Sequence, residues 1–183
     1  MKHYTFAVFL CSLGTDSITA ILDFIEFFND YKFDYGFIVV NKTPLSHENI
    51  EHYAELLTER VNKQFKQDLR LKITEPDSWN LHKPPACRWL YKQNPTRRFL
   101  SRMKSAIIIS GQRKREDVLR RRLGFEGEVY GRKVIRPVYN KSKEYYFMRA
   151  TELLPELKEV WRKQFIETKH TSLDCMTCLR RLS

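Results

Sequence analysis

Short, continuously apolar runs alternate along this chain with longer stretches in which apolar positions recur every three or four residues. The first run, Tyr4 to Cys11, is rich in aromatic residues and reads as a buried strand. It stops at a small polar turn, Ser12-Leu-Gly-Thr-Asp-Ser17, and Ile18 to Phe28 continue with helical periodicity. Tyr35 to Asn41 is a second apolar run, of the kind covered on both faces in a parallel sheet. Ser46 and Asn49 then read as caps of an amphipathic helix from His47 to Gln67, with Ile50, Tyr53, Leu56, Leu57, Val61 and Phe65 on one stripe. Residues 68–74 alternate and predict an edge-like third strand, and Ser105 to Ser110 predict a fourth, buried one.

Between these lies a proline-containing loop, Glu75 to Pro85, and a helix starting near Pro95, a favoured first-turn residue. Gly111 to Asp117 leads from the fourth strand into another helix. Alternation around Gly127 and Gly131 predicts a hairpin over the ligand-binding end. Leu153 to Phe165 is an amphipathic helix whose Leu157, Val160, Trp161 and Phe165 have the spacing of core packing. Strand, helix, strand, helix in this order predicts a doubly wound α/β sheet, mainly parallel, of about five strands with helices on both faces. Ligands of such sheets sit at the carboxyl ends of the strands, where the Ser12–Ser17 turn falls. The chain reads as one domain over 1–183, with a Cys-x-x-Cys tail at 170–183.

Charge narrows the partners. With 33 Lys and Arg against 22 Asp and Glu, the net charge is +11, which favours polyanions. No apolar run approaches the ~20 residues of a membrane span, and the first residues lack a signal-peptide layout. The expectation is a cytoplasmic protein with no membrane partner. Of the four cysteines, Cys11 ends an apolar strand and reads as a small core residue, leaving Cys87, Cys175 and Cys178 for separate chemistry.

The turn has the makings of an anion nest. Backbone N–H groups at a helix start face outward, Gly14 permits close approach, and Ser12, Thr15 and Ser17 add hydroxyls. A helix cap formed by Asp16 or Ser17 is the alternative for the same residues. There is no lysine in the position of a G-x-x-x-x-G-K-[ST] loop. Ser12-Leu-Gly-Thr-Asp-Ser17 resembles instead the S-G-G-x-D-S PP-loop of ATP pyrophosphatases and phosphoadenylyl-sulfate (PAPS) reductases, with Leu13 in place of the first glycine.

Four further segments resemble the same family in order. Cys87, Arg88, Lys92, Pro95 and Arg98 fall on C-C-x-x-x-K-x-x-P-x-x-R, with Arg88 for the second cysteine. Gly111, Arg113, Glu116 and Arg120 fall on G-x-R-x-x-[EQ]-S-x-x-R, with Asp117 for the serine. Ile135-Arg-Pro-Val-Tyr139 with Ser142, and then Cys175-Met-Thr-Cys178, complete the series. The resemblance implies an adenine nucleotide alpha-hydrolase-like fold and ATP as cofactor. It assigns Ser12, Gly14, Thr15, Asp16, Ser17, Gly111, Arg113, Glu116 and Arg120 to the nucleotide. Catalytic roles fall to Asp16 as a Mg²⁺ ligand, to Arg113, and to Lys92 on phosphate or sulfate; Glu116 would order Arg113 or its loop.

For the cysteines the alternatives stay open. Cys87, Cys175 and Cys178 could hold a 4Fe-4S cluster with one open iron, form a zinc site with His170, or remain free thiols. The sequence shows no E-C-G-[IL]-H segment, so thiosulfonate reduction on that cysteine is not expected. The preferred expectation is an ATP-using enzyme that adenylates an acceptor for sulfur transfer, with DNA or tRNA as acceptor and a sulfur-donor protein as partner; a homodimer stays open. The alternatives are a sulfonucleotide reductase and a non-catalytic binder of nucleotide or nucleic acid. In that last reading Arg97-Arg98, Arg113-Lys-Arg115 and Arg120-Arg-Arg122, with Trp89, Tyr91 and Phe99, grip phosphates and bases.

Overall fold

A computed structural model describes residues 1–76, 94–112, 124–168 and 171–173. Cys87, Lys92, Arg113, Glu116, Arg120, His170, Cys175 and Cys178 therefore lie outside the described residues, as does the helix expected after Gly111.

The described strands are β1 (Lys2–Cys11), β2 (Tyr31–Asn41), β3 (Leu69–Thr74), β4 (Ala106–Ser110), β5 (Glu126–Val129) and β6 (Arg132–Ile135). They form one six-stranded sheet in the order β3-β2-β1-β4-β6-β5. The expected count of about five corresponds to the parallel strands. The sixth, β5, pairs antiparallel with β6 at the edge. Its four residues, Glu-Gly-Glu-Val, form the first arm of the hairpin predicted around Gly127 and Gly131.

The apolar runs are strands because both faces of the sheet are covered. α1 (Thr15–Phe27), α2 (Ile50–Phe65), α4 (Lys143–Leu153), a 3₁₀ turn (Pro155–Leu157) and α5 (Lys158–Thr168) pack over one face. That layer holds Ala7, Phe9, Ile38, Val40, Ile107 and Ile109 together with Tyr146, Leu157 and Trp161. α3 (Asn94–Ser101) lies on the other face, where Leu100 and Phe99 meet Val8, Val39, Ile108 and Val134. Pro95 is buried in the first turn of α3.

Several boundaries differ from the periodicity. β2 starts at Tyr31 because Tyr31 and Phe33 pack against Phe24, Phe28 and Phe9 before the apolar run begins. α2 has Asn49 alone at its N-cap, while the Ser46 hydroxyl closes the preceding turn by accepting the Thr43 N–H at 2.9 Å. The hairpin exists, but its turn, Tyr130–Gly131, uses positive φ at both residues and sits at the amino end of β6. Because β6 runs parallel to β4, that turn is at the opposite end of the sheet from the Ser12–Ser17 loop, so the hairpin tip does not cover it.

The chain order reverses between β1 and β4. Their carboxyl ends lie side by side, Leu10 opposite Ser110, and the Ser12–Ser17 loop leaves from that point.

Candidate active site

The loop between β1 and α1 is shaped by its own backbone. Leu13 has φ of 53°, a left-handed conformation costing a non-glycine residue about 1–2 kcal/mol. Where the resembling family has glycine, this chain offsets that strain by placing the leucine side chain fully in the core. The Leu13 carbonyl is held by the Trp161 indole N–H at 2.9 Å. Trp161, expected only to pack, thus also orients the loop; a buried tryptophan needs an acceptor, and the sequence signal is no stronger than that.

Helix α1 starts earlier than its apolar period. Gly14 is the N-cap residue, extended, with no side-chain cap, and Thr15-Asp16-Ser17 form the first turn. Neither Asp16 nor Ser17 is the cap. Ser17 is buried and works inside the loop: its hydroxyl donates to the Gly14 carbonyl at 3.0 Å and accepts the Ser12 N–H at 3.2 Å. The Leu13 N–H reaches the Cys11 sulfur at 3.4 Å, so the buried Cys11 braces the same turn. Asp16 is half-buried in the first turn and accepts from the Thr15 hydroxyl at 3.4 Å. As the acidic residue of that turn it also complements the helix dipole.

Gly111 follows β4 directly and presses on α1. A Cβ there would stand 2.7 Å from the Asp16 carbonyl carbon, from Ser17 Cα and from Ser17 N. Its lack of a side chain is required by the close approach of two backbones, so it sets the loop's position from beneath.

The outward side of the loop meets residues 171–173. The Thr15 N–H donates to Thr171 Oγ1 at 3.0 Å, and the two threonine hydroxyls are 3.1 Å apart. Ser172 Oγ donates to Ser12 Oγ at 3.1 Å. Leu173 is fully buried; its N–H donates to the Ser12 carbonyl at 2.8 Å and its carbonyl accepts the His47 N–H at 2.9 Å.

Two polar groups at the carboxyl ends of the strands escaped the sequence reading. Arg136, fully buried after β6, donates from Nε to the Gln112 side chain at 3.0 Å and from Nη1 to the Gly124 carbonyl at 2.9 Å. Its backbone N–H adds a bond to the Phe125 carbonyl at 2.9 Å. A Cβ on Gly127 would fall 3.1 Å from Nη1. Arg136 therefore ties together the two ends of segment 113–123, which carries Arg113, Glu116 and Arg120 in sequence. The signal was a charged residue set between Ile135 and Pro137, inside an apolar stretch. At the ends of β2 and β3, the hydroxyls of Thr74 and Thr96 both donate to Asn41 Oδ1, the latter at 3.3 Å.

Behind α1, Asp23 is buried against α4. Tyr145 donates to its Oδ1 at 2.9 Å and Arg149 Nε stands 3.6 Å away. Burial is the largest influence and raises the Asp23 pKa above its ordinary value, against the lowering effects of Tyr145 and Arg149.

No known family description matches the sequence, and no curated protein does. Among solved structures, the fold is similar to a phosphoadenylyl-sulfate (PAPS) reductase from Candida auris in its phosphate complex. The TM-score is 0.50 at 12% identity, over 80% of this chain and 71% of that one. It is also similar to a 4-thiouridine synthetase in a complex with RNA and bound ATP, with TM-score 0.54 and 18% identity. That match spans 92% of this chain but 44% of the synthetase, less than half its length. At these identities the likeness is one of fold. The chain is thus a mainly parallel, Rossmann-like α/β protein whose fold is similar to those of these two structures. Among the described residues, no helix is long and apolar enough to cross a membrane.

Proposed function

We propose that this chain is a PP-loop enzyme of the PAPS-reductase family that binds ATP on the 12–17 loop and adenylates an acceptor for sulfur transfer. The observation that carries the reading is the Thr15 N–H, which, at the start of α1 and the carboxyl end of the sheet, already holds an oxygen atom. A phosphate oxygen is a better acceptor at that place, being charged and facing the positive end of a helix.

In the proposed reaction an acceptor oxygen attacks the α-phosphorus of ATP. The bond from that phosphorus to the bridging oxygen breaks and pyrophosphate leaves, so AMP is attached to the acceptor. A sulfur nucleophile then displaces AMP at the acceptor carbon. Loop residues 12–17 position the phosphates, Gly111 and Trp161 hold the loop, and Arg136 positions the segment bearing Arg113, Glu116 and Arg120. Arg113 and Lys92 would neutralise charge developing on the phosphates.

Asp16 fits Mg²⁺ in the mode in which one carboxylate shares the ion with a nucleotide's phosphates. Among the described residues there is no cluster of three or more His, Cys, Asp or Glu that would cage a metal alone. Cys87, Cys175 and Cys178 remain the proposed thiolates for a 4Fe-4S cluster, or for zinc with His170. Such a cluster would supply a carrier for sulfur, and zinc a structural tie.

The test is pyrophosphate release from ATP in the presence of tRNA or DNA as acceptor and a sulfide source. Release that requires nucleic acid supports the proposal. Release of sulfite from PAPS with a thiol reductant would favour the reductase reading. Salt-sensitive nucleic-acid binding without any turnover would favour the non-catalytic one, to which the exposed Arg97, Arg98, Arg102 and Lys104 around α3 lend support.

A further inference from the structure

Three consecutive residues far along the chain close the very loop on which ATP is proposed to bind. Their contacts divide into two kinds. Leu173 is an anchor: its side chain is wholly buried in the core cluster, and both of its backbone polar groups are bonded, to Ser12 and His47. Thr171 and Ser172 are half-buried; their hydrogen bonds to the loop run through their hydroxyls, while their backbone lies against Gly14. The Thr171 oxygen accepts the N–H of the first residue of α1, and a Cβ on Gly14 would come within 3.1 Å of the same oxygen.

We infer that residues 171–173 are a built-in strap, in which the Thr171 hydroxyl occupies the place of a phosphate oxygen and must move out when a nucleotide binds. The inference rests on the reading of the loop as a phosphate nest. Leu173 is the pin about which Thr171 and Ser172 swing, because it keeps its core contacts whether or not the hydroxyls are bonded. The exchange is favourable in direction: a hydrogen bond to a charged oxygen is roughly twice as strong as one between neutral groups. The strap therefore weakens binding without preventing it, and excludes water and weak anions from the loop in the empty protein. Strap closure and nucleotide binding compete for one N–H, so each disfavours the other.

The experiment measures pyrophosphate and ATP binding to the full chain and to Thr171→Ala, Ser172→Ala and the double variant. It is accompanied by ¹⁵N relaxation at Thr171 and Ser172. Loss of one competing hydroxyl bond should tighten pyrophosphate binding about 5-fold, and loss of both about 10-fold or more. In the natural protein, the backbone order parameters of residues 171 and 172 should fall on saturation with pyrophosphate while that of Leu173 holds. Equal affinity in all four proteins overturns the strap and leaves the nucleotide reading standing. Weaker binding by the variants also overturns it, since the hydroxyls would then belong to the ligand's shell. Binding by none of the four, with native folding shown by their melting curves, removes the nucleotide reading and the strap together. Thr171→Ser, which keeps the hydroxyl, should bind as the natural protein does; tightening by that variant would also overturn the inference.

Discussion

Gly111→Ala tests how the loop is held in place. The new methyl would lie 2.7 Å from three backbone atoms of Asp16 and Ser17, where ordinary carbon contacts begin near 3.4 Å. None of the three is the free end of a side chain, so relief requires β4 and the first turn of α1 to separate by about 0.7 Å or more. Inserting a methylene-sized group into a packed interior costs about 1–3 kcal/mol. For a domain of this size, 2 kcal/mol corresponds to roughly 4–8 °C in Tm. Separation at this point also moves the Thr15 N–H, so pyrophosphate binding should weaken along with stability. Gly131→Ala is the control: its φ of 70° carries the left-handed cost, about 1 kcal/mol, but nothing lies within 4 Å of the added carbon. It should lower Tm by a few degrees and leave pyrophosphate affinity unchanged. Urea melts and isothermal titration on both variants decide the matter. Native stability in Gly111→Ala, or equal loss of affinity in the two variants, would refute the reasoning.

Trp161→Phe removes the donor to the Leu13 carbonyl, leaving it buried without that bond; a loss of about 1–3 kcal/mol is expected in urea melts, with weakened pyrophosphate binding. Leu13→Gly restores the residue of the resembling family, relieving about 1–2 kcal/mol of strain while removing a buried leucine worth more; the variant should be less stable yet retain nucleotide affinity, as titration would show. Asp23 has a raised folded pKa, so its protonated form stabilises the fold below the unfolded value of 3.8, and that contribution is lost as pH rises through the folded pKa. Relative to Asp23→Asn, the natural protein should therefore lose stability over that window. Glu126 and Glu156 have the opposite sign, losing their contribution as pH falls through their lowered folded pKa values, but they are present in both proteins and cancel in the difference. A pH-independent difference in urea midpoint would contradict the assignment.

The sheet was legible where burial is continuous: the runs Tyr4–Cys11, Tyr35–Asn41 and Ser105–Ser110 centre on Ala7–Phe9, Ile38–Val40 and Ala106–Ile109, which are buried with helices packed on both faces. β3 was legible for the opposite reason, as the alternation of Leu69, Leu71 and Ile73 with Arg70 and Lys72 matches a strand at the sheet's edge. The loop was found from its small polar residues, but its mechanics were not. Left-handed backbone at Leu13 contradicts the residue's own preference and is held by the Trp161 indole, the Cys11 sulfur and the buried leucine side chain. The clasp of Thr171 on Thr15 joins residues 156 positions apart, a separation that no local pattern reports. Gly111 drew notice as a ligand-side glycine, whereas the space it vacates is filled by the backbone of α1. Arg136 sits between apolar neighbours in sequence, and its partners, Gln112 and Gly124, belong to the segments after β4 and before β5, so no local pattern reports them. Ser17 illustrates the general difficulty: composition shows that a hydroxyl is present but not whether it faces a ligand or, as here, its own loop.

Binding of an adenine nucleotide's phosphates at the β1–α1 turn is the central claim. Amide chemical-shift mapping with a non-hydrolysable ATP analogue and Mg²⁺ addresses this most directly. Saturable shifts centred on residues 12–17, with the largest at the Thr15 N–H and secondary ones at Gly111 and Thr171, are the predicted result. Saturable binding that leaves those amides unmoved, or no binding at millimolar analogue, would contradict it.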